Sequence, residues 1–213
     1  IAKILYDYDS LLLRLDEGRA TNNTEPEKEI SVSDPTAMPA LVPYTLSERN
    51  VLLLDMAEFA LDGGEFMAEE EILRLDNVCR KTVGFVERGG NVAQPWVIEP
   101  ETIEHYITLR FRINSEIDYS GAELALEDAE KAKIIFNGTE IANTITGWYT
   151  DKDIKTIALT DIHKGENILE VTLPFGKRTN TEWCYILGNF GVKVIGRAKI
   201  ITNLPEKLGF GTI

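Results

Sequence analysis

Trp148, Tyr149, Asp151, Glu182 and Trp183 are of the side-chain types that can stack on and hydrogen-bond a sugar ring. The apolar C–H faces of a pyranose stack on indole and phenol rings, while carboxylates accept hydrogen bonds from its hydroxyls. Trp148 and Tyr149, followed by Asp151 and Asp153, read as an aromatic loop between strands, where binding residues concentrate on rigid scaffolds. The competing reading of Trp148 is a ring that closes one end of a sheet pack. Trp183 with Tyr185 marks a second surface, and Trp96, after Pro95, reads as packing. Burial of both Trp148 and Trp183 would favour a purely structural role.

Catalytic constellations are harder to assemble. Glycoside hydrolysis needs two carboxylates held about 5–10 Å apart, and 35 acidic residues offer too many pairs to choose among. Glu182, beside Trp183 and Tyr185, stands out among them, against the alternative of a salt-bridged structural carboxylate. No Gly-x-Ser-x-Gly elbow occurs, and neither His105 nor His163 has a patterned partner, so no activated nucleophile is identified and no catalytic residue is assigned. Cys79 and Cys184 lack metal-ligand spacing, and two buried free thiols are preferred to a disulfide. No metal ligands are assigned.

Charge excludes whole partner classes. With 35 acidic and 22 basic residues the net charge is −13, which repels nucleic acid and anionic membranes alike. The longest apolar run, residues 51–54, ends at Asp55, far short of the roughly 18–20 residues that span a bilayer. A neutral ligand such as carbohydrate is indifferent to that charge. Ile1 rather than Met opens the chain, and no signal-like segment follows. It therefore reads as a piece of a longer polypeptide or a processed product, with secreted, periplasmic and cytoplasmic locations all open.

The elements that must position these residues are mostly strands. Residues 4–15 read as strand and residues 16–43, with four prolines, as a tether. Strand character returns over 50–59, and Leu61-Asp62-Gly63-Gly64 supplies a turn. One helix is predicted over 69–83. Its apolar stripe is Ile72, Leu75, Cys79 and Val83, with Glu69, Glu70 and Glu71 at the start, Arg80 and Lys81 near the end, and Gly84 as cap. A glycine-rich loop (87–91) precedes Gln94-Pro95-Trp96. Then Tyr106, Thr108, Arg110 and Arg112 alternate with Ile107, Leu109, Phe111 and Ile113, a half-buried strand. Further strands are expected at 123–126, 133–136, 156–159, 167–173, 185–187 and 191–200. Asn137-Gly138 fits a two-residue hairpin turn, and Lys164-Gly165-Glu166-Asn167 a second turn in which Asn167 can bond backbone across the loop. Asn22-Asn23-Thr24 and Asn137-Gly138-Thr139 match the N-glycosylation pattern.

The order Leu126-Glu127, Phe136-Asn137-Gly138, Gly147-Trp148-Tyr149, Asp151 and Lys164-Gly165-Glu166-Asn167 resembles the sugar-binding jelly roll of glycoside hydrolase family 2. The stretch Glu182-Trp183-Cys184-Tyr185-Ile186-Leu187-Gly188-Asn189-Phe190-Gly191-Val192 is similar to one found in large bacterial enzymes of the family 2 and rhamnosidase type. The core of the resemblance covers about residues 101–200. The preceding Pro43–Trp96 stretch, with Leu46-Ser47-Glu48-Arg49-Asn50 and Gln94-Pro95-Trp96, also resembles the segment leading into that domain in such enzymes. The resemblance implies a mainly β fold, a jelly-roll antiparallel β-sandwich of the galactose-binding-domain-like kind with the one accessory helix. It divides the chain into residues 1–100, as strands, tether and helix packed on the sandwich, and residues 101–213, the jelly roll. No alternating strand–helix series exists to form a (β/α)₈ catalytic barrel. The resemblance thus implies a noncatalytic carbohydrate-binding or supporting module of a bacterial glycoside hydrolase, partnered by carbohydrate and by a catalytic domain of the same polypeptide. The alternatives are a purely structural interdomain module and a small stand-alone carbohydrate-active enzyme. No cofactor is implied beyond a structural Ca²⁺, which related β-sandwich modules often hold and to which Asp151 and Asp153 could lend oxygen ligands.

Overall fold

The alternation around residue 110 becomes the longest ladder of the fold. In the computed structural model, which describes residues 40–88, 102–179 and 181–209, Ile107, Leu109, Phe111 and Ile113 are buried while Tyr106, Thr108, Arg110 and Arg112 face outward. The strand expected over residues 4–15, nearly all of the 16–43 tether, the Asn22 pattern and Gln94-Pro95-Trp96 lie outside the described residues. Residues from Ala40 onward cluster as one compact unit.

The described residues form fifteen strands and one α-helix. In chain order these are β1 (Leu41–Pro43), β2 (Asn50–Leu54), β3 (Met56–Leu61), β4 (Met67–Glu71), α1 (Ile72–Thr82) and β5 (His105–Ser115). Next come β6 (Glu123–Leu126), β7 (Lys133–Phe136), β8 (Thr139–Ile141), β9 (Ile145–Tyr149) and β10 (Asp151–Ala158). The series closes with β11 (Gly165–Phe175), β12 (Cys184–Gly188), β13 (Gly191–Ile195), β14 (Ala198–Thr202) and β15 (Lys207–Gly209).

Two sheets face each other across one core. The first has five strands in the order β2-β12-β6-β10-β9. The second has eight, running β13-β14-β5-β11-β7-β8, with β3 on the same edge of β5 as β14, and β4 beyond β3. Pairing is antiparallel except for a two-residue parallel register between β14 and β5. Leu52, Leu124 and Ile186 from the first sheet share a buried cluster with Leu109, Phe111, Phe136, Leu169 and Val171 from the second. The fold is therefore a mainly antiparallel β-sandwich. A separate two-stranded ribbon pairs β1 with β15.

The two turns singled out in the sequence are tied together. Asn137 and Gly138 both take positive φ (49° and 78°), as the β7–β8 hairpin turn requires. The Asn137 Oδ1 accepts from the Ile168 N–H at 2.9 Å, and its Nδ2 donates to the Asn167 Oδ1 at 2.8 Å. Asn167, fully buried, also accepts from the His163 N–H at 2.9 Å and donates to the His163 carbonyl at 2.7 Å. Its predicted role in bonding backbone across the loop is what the side chain does.

The helix is shorter at its start than expected. Glu69 and Glu70 belong to β4, which pairs with β3, and sheet pairing there overrides their preference for a helix end. Glu71 is the N-cap, its carboxylate accepting from the Leu73 and Arg74 N–H groups. At the far end Gly84 takes φ +75°, the Phe85 N–H reaches the Arg80 carbonyl at 2.8 Å, and the Gly84 N–H reaches Lys81. These are the two bonds of a Schellman cap.

Two other expectations shift. Residues 191–200 form a hairpin rather than one strand, because Gly196 at φ +58° turns β13 back into β14. Gly147-Trp148-Tyr149 is not a loop but part of β9, held by its ladder to β10. The Leu-Gly-Asn-Phe-Gly-Val stretch acquires a packing reason. A Cβ on Gly188 would lie 2.5 Å from the buried Phe190 ring, and one on Gly191 would lie 2.5 Å from the Asn203 carbonyl oxygen. Cys79 and Cys184 are free and buried, as expected, and burial pushes both thiols up to about 12.

Candidate functional site

Strand β9 is the free edge of the five-stranded sheet, and its ladder to β10 is irregular. Gly147 pairs with Thr156 and Trp148 with Lys155, yet the next partners are Tyr149 and Asp151, so residues 152–154 bulge out. Thr150, at φ +60°, makes the reversal, and the Asp151 carboxylate accepts from the Asp153 N–H at 2.9 Å. Asp151 is thus occupied in shaping the bulge. Among the described residues no three His, Cys, Asp or Glu side chains gather into a metal cage.

A cleft of about 710 Å³ opens beside this edge, lined by Trp148, Tyr149, Thr146, Thr156, Arg49 and Glu123 among others. That volume falls within the range of small-ligand sites. Trp148 is 56% exposed. The Tyr149 ring meets that of Tyr185 at 5.4 Å. Tyr185 comes from β12, so this contact reaches across β6 and β10, and it braces Tyr149 over the sheet. Burial first, and then the neighbouring Tyr149, raise the Tyr185 hydroxyl above its ordinary value, keeping it protonated near neutrality. Gly147 contributes no side chain, and Thr146 Oγ1 bonds both Thr156 Oγ1 (2.9 Å) and the Thr156 carbonyl (3.0 Å).

The charged groups of the cleft are largely internal to it. Arg49 Nη1 donates to Glu123 Oε2, pairing a loop residue with the first residue of β6. Glu48 adds a second carboxylate to the lining. An aromatic wall, hydroxyls and a paired Arg–Glu set can stack on and hydrogen-bond a polar ring-shaped ligand.

Glu182 and Trp183 stand elsewhere. Glu182 Oε1 takes Arg88 Nη1 at 3.1 Å, and Arg88 Nε also reaches Asp76 Oδ2 at 3.1 Å. Asp76 is fully buried and is bound again by Arg80 Nε at 2.7 Å. Arg80 in turn donates to the carbonyls of Lys177 and Thr179. This network fastens α1 to the segment before β12. Trp183 Nε1 donates to Glu71 Oε1 at 2.9 Å, so the indole extends the helix cap. Burial pushes the Glu71 carboxyl up, but the bonds from Trp183, Leu73 and Arg74 outweigh it and leave the group below its ordinary value.

Of the five sequence-stated residues, the structure therefore brings Trp148 and Tyr149 to one cleft, places Asp151 at the adjoining bulge, and puts Glu182 and Trp183 beside the helix. Arg49, Glu123, Thr146 and Thr156 were not singled out from the sequence. Glu123 had a signal, being a charge at the head of the otherwise apolar Glu-Leu-Ala-Leu strand. Arg49 falls in the Leu46–Asn50 motif of the resemblance, but its pairing with Glu123, across 74 residues, had no signal. Among the described residues no helix is long and apolar enough to cross a membrane.

No family model and no curated protein matches the chain. Solved structures similar to it include a family 2 glycoside hydrolase, the β-galacturonidase from Eisenbergiella tayi bound to glycerol, at 12% identity and TM-score 0.38 over 76% of this chain and 29% of that one. The same enzyme bound to galacturonate matches at 13% identity and TM-score 0.37, over 73% of this chain and 29% of that one. The chain thus spans less than a third of these neighbours' length, and likeness at this level assigns neither family nor activity.

Proposed function

We propose that this chain is a noncatalytic β-sandwich module of a larger glycoside hydrolase, and that the cleft beside β9 holds carbohydrate. The carrying observation is Trp148, an indole 56% exposed at the rim of a cleft of about 710 Å³ that is also lined by Thr146 and a paired Arg49–Glu123. Exposed indoles at such rims supply the apolar face that stacks on sugar C–H groups. The ordered turns Asn137-Gly138 and Gly165-Glu166-Asn167 keep the resemblance to family 2 sugar-binding domains, with a catalytic domain of the same polypeptide as the second partner.

A purely structural interdomain role is the competing reading. It draws on Glu182 and Trp183, whose polar atoms are both engaged within the chain. Against it, Trp148 and Trp183 are 56% and 38% exposed, so neither is buried. Calorimetric titration with a panel of plant and host oligosaccharides separates the two. Saturable heat that Trp148→Ala abolishes, at unchanged thermal stability, is expected of a sugar module. No heat with any sugar, from folded protein, reduces the chain to a structural part.

A further inference from the structure

We infer that the cleft beside β9 selects an uncharged sugar and discriminates against uronic acids, an inference that rests on the cleft being a carbohydrate site. Three charged side chains line it: Glu48, Arg49 and Glu123. Arg49 is the cation that would bind a sugar carboxylate, and its Nη1 is already held by Glu123 Oε2. Glu123 is the more enclosed partner, its side chain 17% exposed against 47% for Arg49, and it stays where β6 fixes it. Glu48 leaves the lining one negative charge in excess. With Nη1 taken by Glu123, a uronate gripping the rest of the Arg49 guanidinium would sit beside the Glu123 carboxylate that already shares its charge. The chain as a whole carries a net charge of −13, which disfavours an anion at long range as well.

The remaining lining suits hydroxyls and C–H faces. Trp148 and Tyr149 provide aromatic surface, and the exposed Thr146, whose hydroxyl bonds the buried Thr156, leaves an oxygen lone pair to accept from a sugar hydroxyl. None of these distinguishes charge, so the ion pair sets the selectivity. It also makes a reversal testable. Removing the Glu123 charge would leave Arg49 without its carboxylate and turn the same cleft toward uronates.

The test titrates the full chain calorimetrically with matched neutral and uronate disaccharides: galactobiose against digalacturonate, and cellobiose against cellobiouronate. The neutral member of a pair is expected to bind at least about tenfold tighter, equivalent to about 1.4 kcal/mol, and the gap is expected to narrow as salt rises. In Glu123→Gln the uronate is expected to gain about tenfold relative to the neutral sugar. Glu48→Gln, at a less constrained loop position, is expected to move the ratio the same way by a smaller factor. Equal or tighter uronate binding by the unaltered chain overturns this inference and leaves the carbohydrate site standing. Binding by neither member, nor by any sugar of the wider panel, overturns the site and the inference together. An unchanged ratio in both variants shows that Glu123 and Glu48 do not set the selectivity and overturns the inference.

Discussion

Asn167→Ala tests whether the two recognisable turns act as one unit. The side chain is fully buried and makes three bonds shorter than 3.0 Å: from the His163 N–H (2.9 Å), from Asn137 Nδ2 (2.8 Å) and to the His163 carbonyl (2.7 Å). At about 1 kcal/mol of net stability per bond the loss is about 3 kcal/mol. For a chain of this size that lowers Tm by about 6–12 °C. Asn137→Ala loses the bonds to the Ile168 N–H and to Asn167 and places alanine at φ 49°, for about 3 kcal/mol in all. The two substitutions share one bond, so the double variant is expected to cost about 1 kcal/mol less than their sum. Urea denaturation of the four proteins reads this directly. Additivity to within about 0.3 kcal/mol, or an Asn167→Ala loss below about 0.5 kcal/mol, would refute the coupling.

Gly188→Ala is expected to destabilise by about 1–3 kcal/mol, because its Cβ would lie 2.5 Å from the Phe190 ring in a filled core; urea midpoints check it. Asp62 is held below its usual 3.8, first by the hydrogen bond with His105 and then by the Tyr106 N–H. A depressed carboxyl stabilises above its unfolded value and loses that contribution as pH falls through the folded one. The stability gap between the native chain and Asp62→Asn should therefore be full near pH 5–6 and shrink toward pH 3, measured by thermal melts across that range. Both thiols sit near 12, so Cys79 and Cys184 should ignore a thiol-reactive disulfide reagent at pH 8 in the native state. Both should react in urea; fast labelling of native protein would contradict their burial.

What could be read beforehand was whatever nearby residues decide. The alternation over 105–115 gave the central strand because a period of two needs only its own side chains. Asn137-Gly138 and Gly84 were legible because positive φ narrows the choice of residue locally. Gly196 carries the same signal within a run of β-formers, and those neighbours masked a hairpin. Glu69 and Glu70 look like a helix start, and only the pairing of β4 with β3 makes them strand. The site divided along the same line. Trp148 and Tyr149 stood out by type, whereas the Arg49–Glu123 pair and the Tyr149–Tyr185 contact join segments far apart in the chain. Glu182 and Trp183 had the right chemistry for a ligand, but Arg88 and the helix cap occupy it.

The passage from β2 to β3 has a practical consequence for anyone who would trim this protein. One residue, Asp55, separates a strand of the first sheet from a strand of the second, and Lys199 clamps the crossing by bonding Asp55 and the Leu53 carbonyl. β2 covers one side of β12, and β3 covers one side of β5. A fragment cut to begin near residue 101 would strip both at once and leave two rows of unpaired backbone groups, one on each sheet. Such rows recruit strands from other molecules. That fragment would be expected to aggregate even though the segment most reminiscent of a sugar-binding domain is intact within it. The sandwich closes only when the strands ahead of the helix are supplied.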